Sequence, residues 1–316
     1  MGTEDMQAKY INPYTDFGFK LLFGTDLNKE LLISFLNALL FKKEEIKSIT
    51  YLNTERLGTQ EYDRRAVFDV YCENEKGERI LVEMQRGEQQ FFKDRSIYYA
   101  TIPIREQAPR GEWDYELKAV YVVGILNFKF REDTSDHYHH KVQLVDLHTR
   151  EVFYDKLTFI YLEMPKFNKT EQELETMFDK WLFVLRNLSN LLERPLALQN
   201  RVFDHLFEAA EIAKFTPQKR SEYWESLKNY RDWNNVLNTN IKKSLEKGLA
   251  EGMRIGMEKG MKQGLEKGME KGMEKGMEIG EQKKQLEIAR RLKSSGLSTE
   301  QIIKYTELTA EEIERL

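Results

Sequence analysis

Nine glycines fall at strict four-residue intervals, at positions 248, 252, 256, 260, 264, 268, 272, 276 and 280. The residue three before each is always Leu or Met, from Leu245 and Leu249 through Met253, Met257, Met261, Leu265, Met269 and Met273 to Met277. The unit is (Leu/Met)-Glu-Lys-Gly. In a helix, four residues advance by about 400°, so each repeat drifts by about 40°. Across the array the apolar stripe nearly circles the axis and cannot face one fixed core. Each interior Gly costs about 1 kcal/mol relative to Ala, and Glu–Lys pairs return only tenths of that. The segment is therefore read as a solvated, weakly helical linker, either a plain spacer or a stripe for oligomerisation. The interleaved charges rule out the membrane use of a small-xxx-small pattern.

The core must come from the rest of the 316 residues, enough for one large domain or two modest ones. The 18 Phe, 15 Tyr and 4 Trp supply its bulk. The longest near-continuous apolar run, Leu31 to Phe41, has Ser34 and Asn37 inside it and is too short for a span of about 20 residues. Met1 to Tyr10 holds no apolar signal segment. A lone cysteine, Cys72, excludes an internal disulfide and a Cys-rich zinc site. A soluble, cytoplasmic protein without membrane contact is expected. Residues 241–316 carry 16 Lys+Arg against 14 Asp+Glu, leaving 33 against 39 in residues 1–240. Any nucleic acid must then be met by a local basic groove. The repeat glycines follow no strand and end in no Gly-Lys-Ser/Thr, so no nucleotide cofactor is expected.

Asp16 to Phe23 and Asn28 to Phe41 have helical patterns. Arg65 to Tyr71 alternates as a strand, Glu75 to Gly77 is a turn, and Arg79 to Gln85 is a second strand. A helix is predicted over Phe91 to Arg105 and a central strand over Leu117 to Leu126. Shorter strands are predicted at Val142–Asp146, Val152–Tyr154 and Leu157–Leu162, and helices from Glu171 to about Tyr230. Strands early and helices late give an α/β core with a helical appendage. In the C-terminal unit, Ser298-x-x-Gln301 and Thr309-x-x-Glu312 are capping boxes, and the short helices resemble a helix-turn-helix.

Within Ile80-Leu81-Val82-Glu83-Met84, Glu83 interrupts an apolar run. Period 2 sets Glu83 and Gln85 on one face with Leu81, and the hairpin brings Asp69 close. A carboxylate in such a strand is costly unless it is paired or binds a cation. Asp69, Glu83 and the main-chain carbonyl of Met84 make an all-oxygen set suited to Mg²⁺ or Mn²⁺. The same residues also read as carboxylates paired with Arg64, Arg65, Arg79 or Arg86. From spacing alone both readings stand.

The hairpin resembles that of the PD-(D/E)XK nucleases, where Asp is followed by Glu-x-Lys. The stretch Asn12-Pro13-Tyr14-Thr15-Asp16-Phe17-Gly18-Phe19-Lys20-Leu21-Leu22-Phe23-Gly24 is similar to the N-terminal signature of the Rpn-type recombination-promoting nucleases, also called PD-(D/E)XK family transposases. Val82-Glu83-Met84-Gln85, followed by Phe91, Arg95, Tyr98 and Tyr99, is similar to that family's centre. The Lys-Gly-rich tail and the closing Thr306 to Glu314 are loosely similar.

The resemblance implies a restriction-endonuclease-like α/β core, a mixed central sheet flanked by helices, over residues 1–165. A helical appendage follows at 166–240, the tetrapeptide-repeat linker at 241–280 and a small helical unit at 281–316. It implies a Mg²⁺-dependent DNA endonuclease that hydrolyses phosphodiesters and is linked to recombination and mobile elements. Asp69, Glu83 and the Met84 carbonyl match the metal ligands. Gln85 stands where lysine is usual; it can order a water but supplies no charge. Arg95 is assigned to the substrate phosphate in its place, ahead of Arg86 and Lys93. Asp16 and Lys20, four apart on the first helix, are read as a site contribution or a local ion pair.

Two rivals remain at this level: a catalytically inactive nuclease-fold module that assembles through repeat and tail, and a DNA-binding regulator using residues 281–316. Among weaker candidates, His137, His139 and His140 have metal-like spacing in what reads as a polar loop after Arg131. Cys72 reads as a buried strand thiol. The aromatic row Phe91, Phe92, Tyr98 and Tyr99 is read as core or as a platform for bases.

Overall fold

The Asn12–Gly18 loop shapes the first helix. Thr15 Oγ1 accepts the Gly18 amide at 3.0 Å and donates to the Asn12 carbonyl at 2.8 Å. A Cβ at Gly18 would stand 2.3 Å from that carbonyl, so only glycine lets the loop close over the helix start. The computed structural model describes residues 8–41, 46–53, 55–56, 66–108, 111–130 and 135–316. Arg64, Arg65 and residues 131–134 lie outside them. The chain forms two compact units, residues 1–234 and 235–316.

In the first unit, α1 (Asp16–Phe23) and α2 (Lys29–Leu36) are followed by a π turn at Asn37–Phe41. Strands β1 (Ile49–Tyr51), β2 (Glu55–Arg56), β3 (Ala66–Val67), β4 (Val70–Asn74) and β5 (Arg79–Gln85) come next. Then follow α3 (Phe92–Arg105), β6 (Val120–Leu126), β7 (His139–Val145), β8 (Val152–Glu163), α4 (Met177–Asn187), α5 (Arg201–Ala210) and α6 (Pro217–Ser294). Six strands form one mixed sheet in the order β1-β4-β5-β6-β8-β7, and β2 pairs with β3 separately. Strands β5, β6 and β8 run parallel, and β1, β4 and β7 antiparallel to their neighbours.

Both sheet faces are buried. Val70, Cys72, Ile80, Val82, Met84, Val123 and Ile160 face α1, α2, α4, α5 and the first turns of α6, where Trp181, Phe203 and Tyr223 fill the layer. Tyr71, Leu81, Val122 and Tyr161 face α3 through Phe92 and Ala100. This is a mixed six-stranded sheet flanked by helices, consistent with the expected α/β class. The strand expected from Arg65 to Tyr71 is broken at Phe68–Asp69. The Asp69 carboxylate accepts the Met84 amide at 2.8 Å, taking a ladder bond that a backbone carbonyl would otherwise take, so pairing with β5 begins only at Val70↔Val82. The two strands expected over 152–162 are one, β8, which carries the extra residues where its register against β7 shifts between Val142 and Val145.

In the second unit the repeat is fully helical within α6, in place of the weak helix expected. Its good helix formers outweigh the glycines, and Arg254 reaches Glu251 at 2.8 Å and Glu258 at 3.3 Å. The nine Leu and Met side chains are 62–80% exposed. Gly296, at φ +84°, reverses the chain. Ser298 and Thr309 cap α7 (Thr299–Thr306) and α8 (Ala310–Glu314) with both capping boxes formed. Ala289, Ile302, Leu308 and Ile313 form a small core.

Candidate active site

Strand β5 alternates, with Ile80, Val82 and Met84 toward α1 and Leu81, Glu83 and Gln85 toward α3. Glu83 is 9% exposed. Its Oε2 accepts Gln85 Nε2 at 3.2 Å and Arg95 Nη2 at 3.4 Å. Burial raises the Glu83 carboxyl from 4.5 to about 7; Asp69 adds to the rise, while Arg95 and Gln85 oppose it. Asp69 is also raised, first by burial and further by Asp16, against the Met84 amide, Lys20 and Arg86. Two carboxylates thus share a desolvated corner at the carboxyl end of β5.

The Met84 amide points at Asp69, and a strand residue directs its N–H and C=O to the same neighbour. The Met84 carbonyl therefore opens toward Asp69, where β4 pairing has already ended. Gln85 faces the other way, its carbonyl accepting Asn127 N–H at 2.8 Å. Two carboxylates held above their ordinary pKa values and one carbonyl fit a hard divalent cation, whose charge relieves their repulsion. Among the described residues, no group of three or more His, Cys, Asp and Glu side chains is placed to hold a metal.

Arg95 donates to Glu83 and to Gln89 Oε1. Its guanidinium lies 5.4 Å from the Tyr99 ring centroid and 5.9 Å from that of Phe92. The Tyr161 ring, against which Phe92 packs at 5.6 Å, takes space that Gly124 leaves open. Gly124 is the β6 partner of Glu83, and a Cβ there would meet Tyr161 at 3.1 Å and Phe92 at 3.4 Å. Sequence reasoning missed Gly124, though a lone glycine inside the run Val120–Leu126 is the signal.

Asp16 and Lys20 form the local ion pair, at 3.2 Å with both half-exposed, and both also act on Asp69 electrostatically. With Arg86, Lys219 and Asn229 they line a cavity of about 490 Å³. The wall is tied down, since Asn12 N–H donates to Tyr223 Oη and Phe17 N–H to Ser226 Oγ, both at 3.1 Å. Arg86 lies 5.8 Å from the Tyr230 ring centroid, and Gly87 presses on Trp233, whose indole a Cβ would meet at 2.3 Å.

Of the three histidines, His137 and His140 meet edge to face at 5.1 Å, and His139 packs elsewhere. His139 lies against Phe178, while His140 Nε2 pairs with Glu163 Oε1 at 2.6 Å. Glu163, fully buried at the end of β8, also binds Lys166 Nζ at 2.9 Å and the Phe130 amide at 2.7 Å. Sequence reading passed over this carboxylate because it closes an apolar strand with no visible partner. Cys72 points to the opposite sheet face, and burial pushes its thiol up to about 12. Phe92 is core, but Phe91 is exposed.

No curated protein and no solved structure gives a significant match. One family model does match, over residues 13–240, covering the broken strand, the hairpin and the helices that enclose them. The chain belongs to the PD-(D/E)XK nuclease family transposases.

Proposed function

We propose that the protein is a Mg²⁺- or Mn²⁺-dependent endonuclease that hydrolyses phosphodiester bonds in DNA. The reading rests above all on the Asp69–Glu83 pair, with Asp69 pinned to the Met84 amide at 2.8 Å and Glu83 ionising only near pH 7. Asp69, Glu83 and the Met84 carbonyl hold the cation. A divalent cation there offsets charge on the scissile phosphate and acidifies water. Gln85 positions that water through its amide. Arg95, 3.4 Å from Glu83, holds that carboxylate in place and supplies the positive charge that Gln85 lacks. Asp16, Lys20 and Arg86 border the path of the strand beside Asp69. The family points to DNA as partner and to recombination as setting. No helix among the described residues is long and apolar enough to cross a membrane, and a cytoplasmic enzyme suits the lone thiol.

Calorimetric titration with Mn²⁺ tests the ligand set. One site is expected in the parent, weakened at least tenfold in Asp69→Asn and in Glu83→Gln, each folded by circular dichroism. Equal affinity in all three refutes it. The rival reading, an inactive module assembled through the repeat, is favoured by Gln85 in the lysine position, and it predicts no Mn²⁺ site.

A further inference from the structure

Between β5 and α3 the chain does something costly. Phe91 adopts φ +63°, a left-handed conformation rare for a bulky side chain. The kink splits two adjacent aromatics. Phe92 enters the core against Tyr161 and Phe128, at centroid distances of 5.6 and 5.8 Å. Phe91 is sent outward, 68% exposed. A cavity of about 560 Å³ opens beside it, walled by Phe128 and Phe130 and edged by Gln89, Gln90 and Lys93, with the carboxylate residues Glu88 and Asp94 also lining it. Phe128 and Phe130 meet edge to face at 5.9 Å, and Lys93 Nζ lies 5.2 Å from the Phe130 ring centroid.

The cavity adjoins the carboxylate pair. A single guanidinium, that of Arg95, spans the distance from Gln89 at its edge to Glu83. Aromatic walls offer stacking to any base, and glutamine amides match the donor–acceptor edge of a nucleobase. The volume lies within the roughly 300–1,000 Å³ of small-ligand pockets. A base still stacked in a duplex cannot enter.

We propose that this cavity receives one unstacked nucleobase of the substrate strand beside the scissile phosphate, with Phe91 as the ring that holds it out of the helix. The inference rests on the nuclease reading above and narrows its substrate to DNA whose bases are unpaired or readily everted. Unstacking is cheapest at a mismatch or in a single strand, so such DNA binds best.

The test is fluorescence-anisotropy binding by the full chain, with Ca²⁺ replacing Mg²⁺ to hold the DNA uncut. Three DNAs of equal length are compared: a paired duplex, the same duplex with three central mismatches, and a single strand. The mismatched duplex is expected to bind at least tenfold more tightly than the paired one. Phe91→Ala should abolish that preference, and Phe91→Trp should keep it. Phe91→Gly, which suits the positive φ, should melt higher than the parent yet still lose the preference, separating backbone relief from base holding. Equal binding of paired and mismatched DNA by the parent, or a preference surviving in Phe91→Ala and Phe91→Gly, overturns the inference alone. Failure to bind any of the three DNAs overturns it together with the nuclease reading.

Discussion

Replacing Glu83 by Gln tests the charge that burial forces onto the sheet. An exposed glutamate ionises near 4.5, and Glu83 is raised to about 7. The folded state therefore holds this proton more tightly than the unfolded chain does. The stabilisation is complete below about pH 4.5 and is lost as pH rises through 7. At about 1.4 kcal/mol per tenfold change, full ionisation costs the metal-free fold about 3 kcal/mol. Gln preserves the shape and the amide can still meet Arg95 and Gln85, but it never ionises. Glu83→Gln should be within about 0.5 kcal/mol of the parent at pH 4.5 and about 2–3 kcal/mol more stable at pH 8. The assay is urea denaturation with chelator present, at pH steps from 4.5 to 8.5, read by tryptophan fluorescence. All four tryptophans lie in residues 1–234, so the signal reports the unit that holds the site. Taking the difference between variant and parent cancels every other titrating group that the substitution leaves alone. A pH-independent difference, or a variant less stable at pH 8, refutes the electrostatic argument.

Gly87→Ala places a Cβ 2.3 Å from Trp233 Cη2. It should cost about 1–2 kcal/mol, since the indole is 37% exposed and can retreat; in a Trp233→Ala background the cost should nearly vanish, as a double-mutant cycle in urea will record. Glu163→Ala strands Lys166, its buried partner at 2.9 Å, and should cost about 3–5 kcal/mol by the same unfolding assay. In the repeat, nothing lies within 4 Å of a Cβ built at Gly256, Gly260, Gly264 or Gly268. Alanine at all four should add about 1 kcal/mol of helix propensity per site, raising the temperature at which 222 nm ellipticity falls and leaving the tryptophan transition unchanged.

The hairpin is legible because local rules agree there. Asn74 Oδ1 accepts the amides of Lys76 and Glu78, each at 3.0 Å, Gly77 takes the positive φ, and β5 spans Arg79–Gln85 as its alternation predicts. Glu83 is conspicuous as the one charge in an apolar run. Three features are not legible, each for a nonlocal reason. Asp69 sets where β4 begins, through an amide fifteen residues away. Arg95 turns onto Glu83 because Tyr99 and Phe92 hold its guanidinium there, and pattern analysis cannot tell that target from a phosphate. Glu163 finds Lys166 only once the chain has turned beyond β8, and finds His140 only through the β7–β8 pairing. In the repeat, the drifting stripe correctly predicts solvent exposure, but a per-residue penalty for glycine understates the helix.

The central claim is that Asp69 and Glu83 form one cation-dependent hydrolytic site, and the most direct measurement is cleavage of supercoiled plasmid. Purified parent, Asp69→Asn and Glu83→Gln are incubated with Mg²⁺, with Mn²⁺ and with chelator, each variant first shown to be folded by circular dichroism. Nicking or linearisation by the parent with either cation, absent with chelator and reduced at least a hundredfold in both variants, is the predicted result. Cleavage that is equal in all three proteins, or that persists in chelator, would contradict the account, as would no cleavage by the folded parent with either cation.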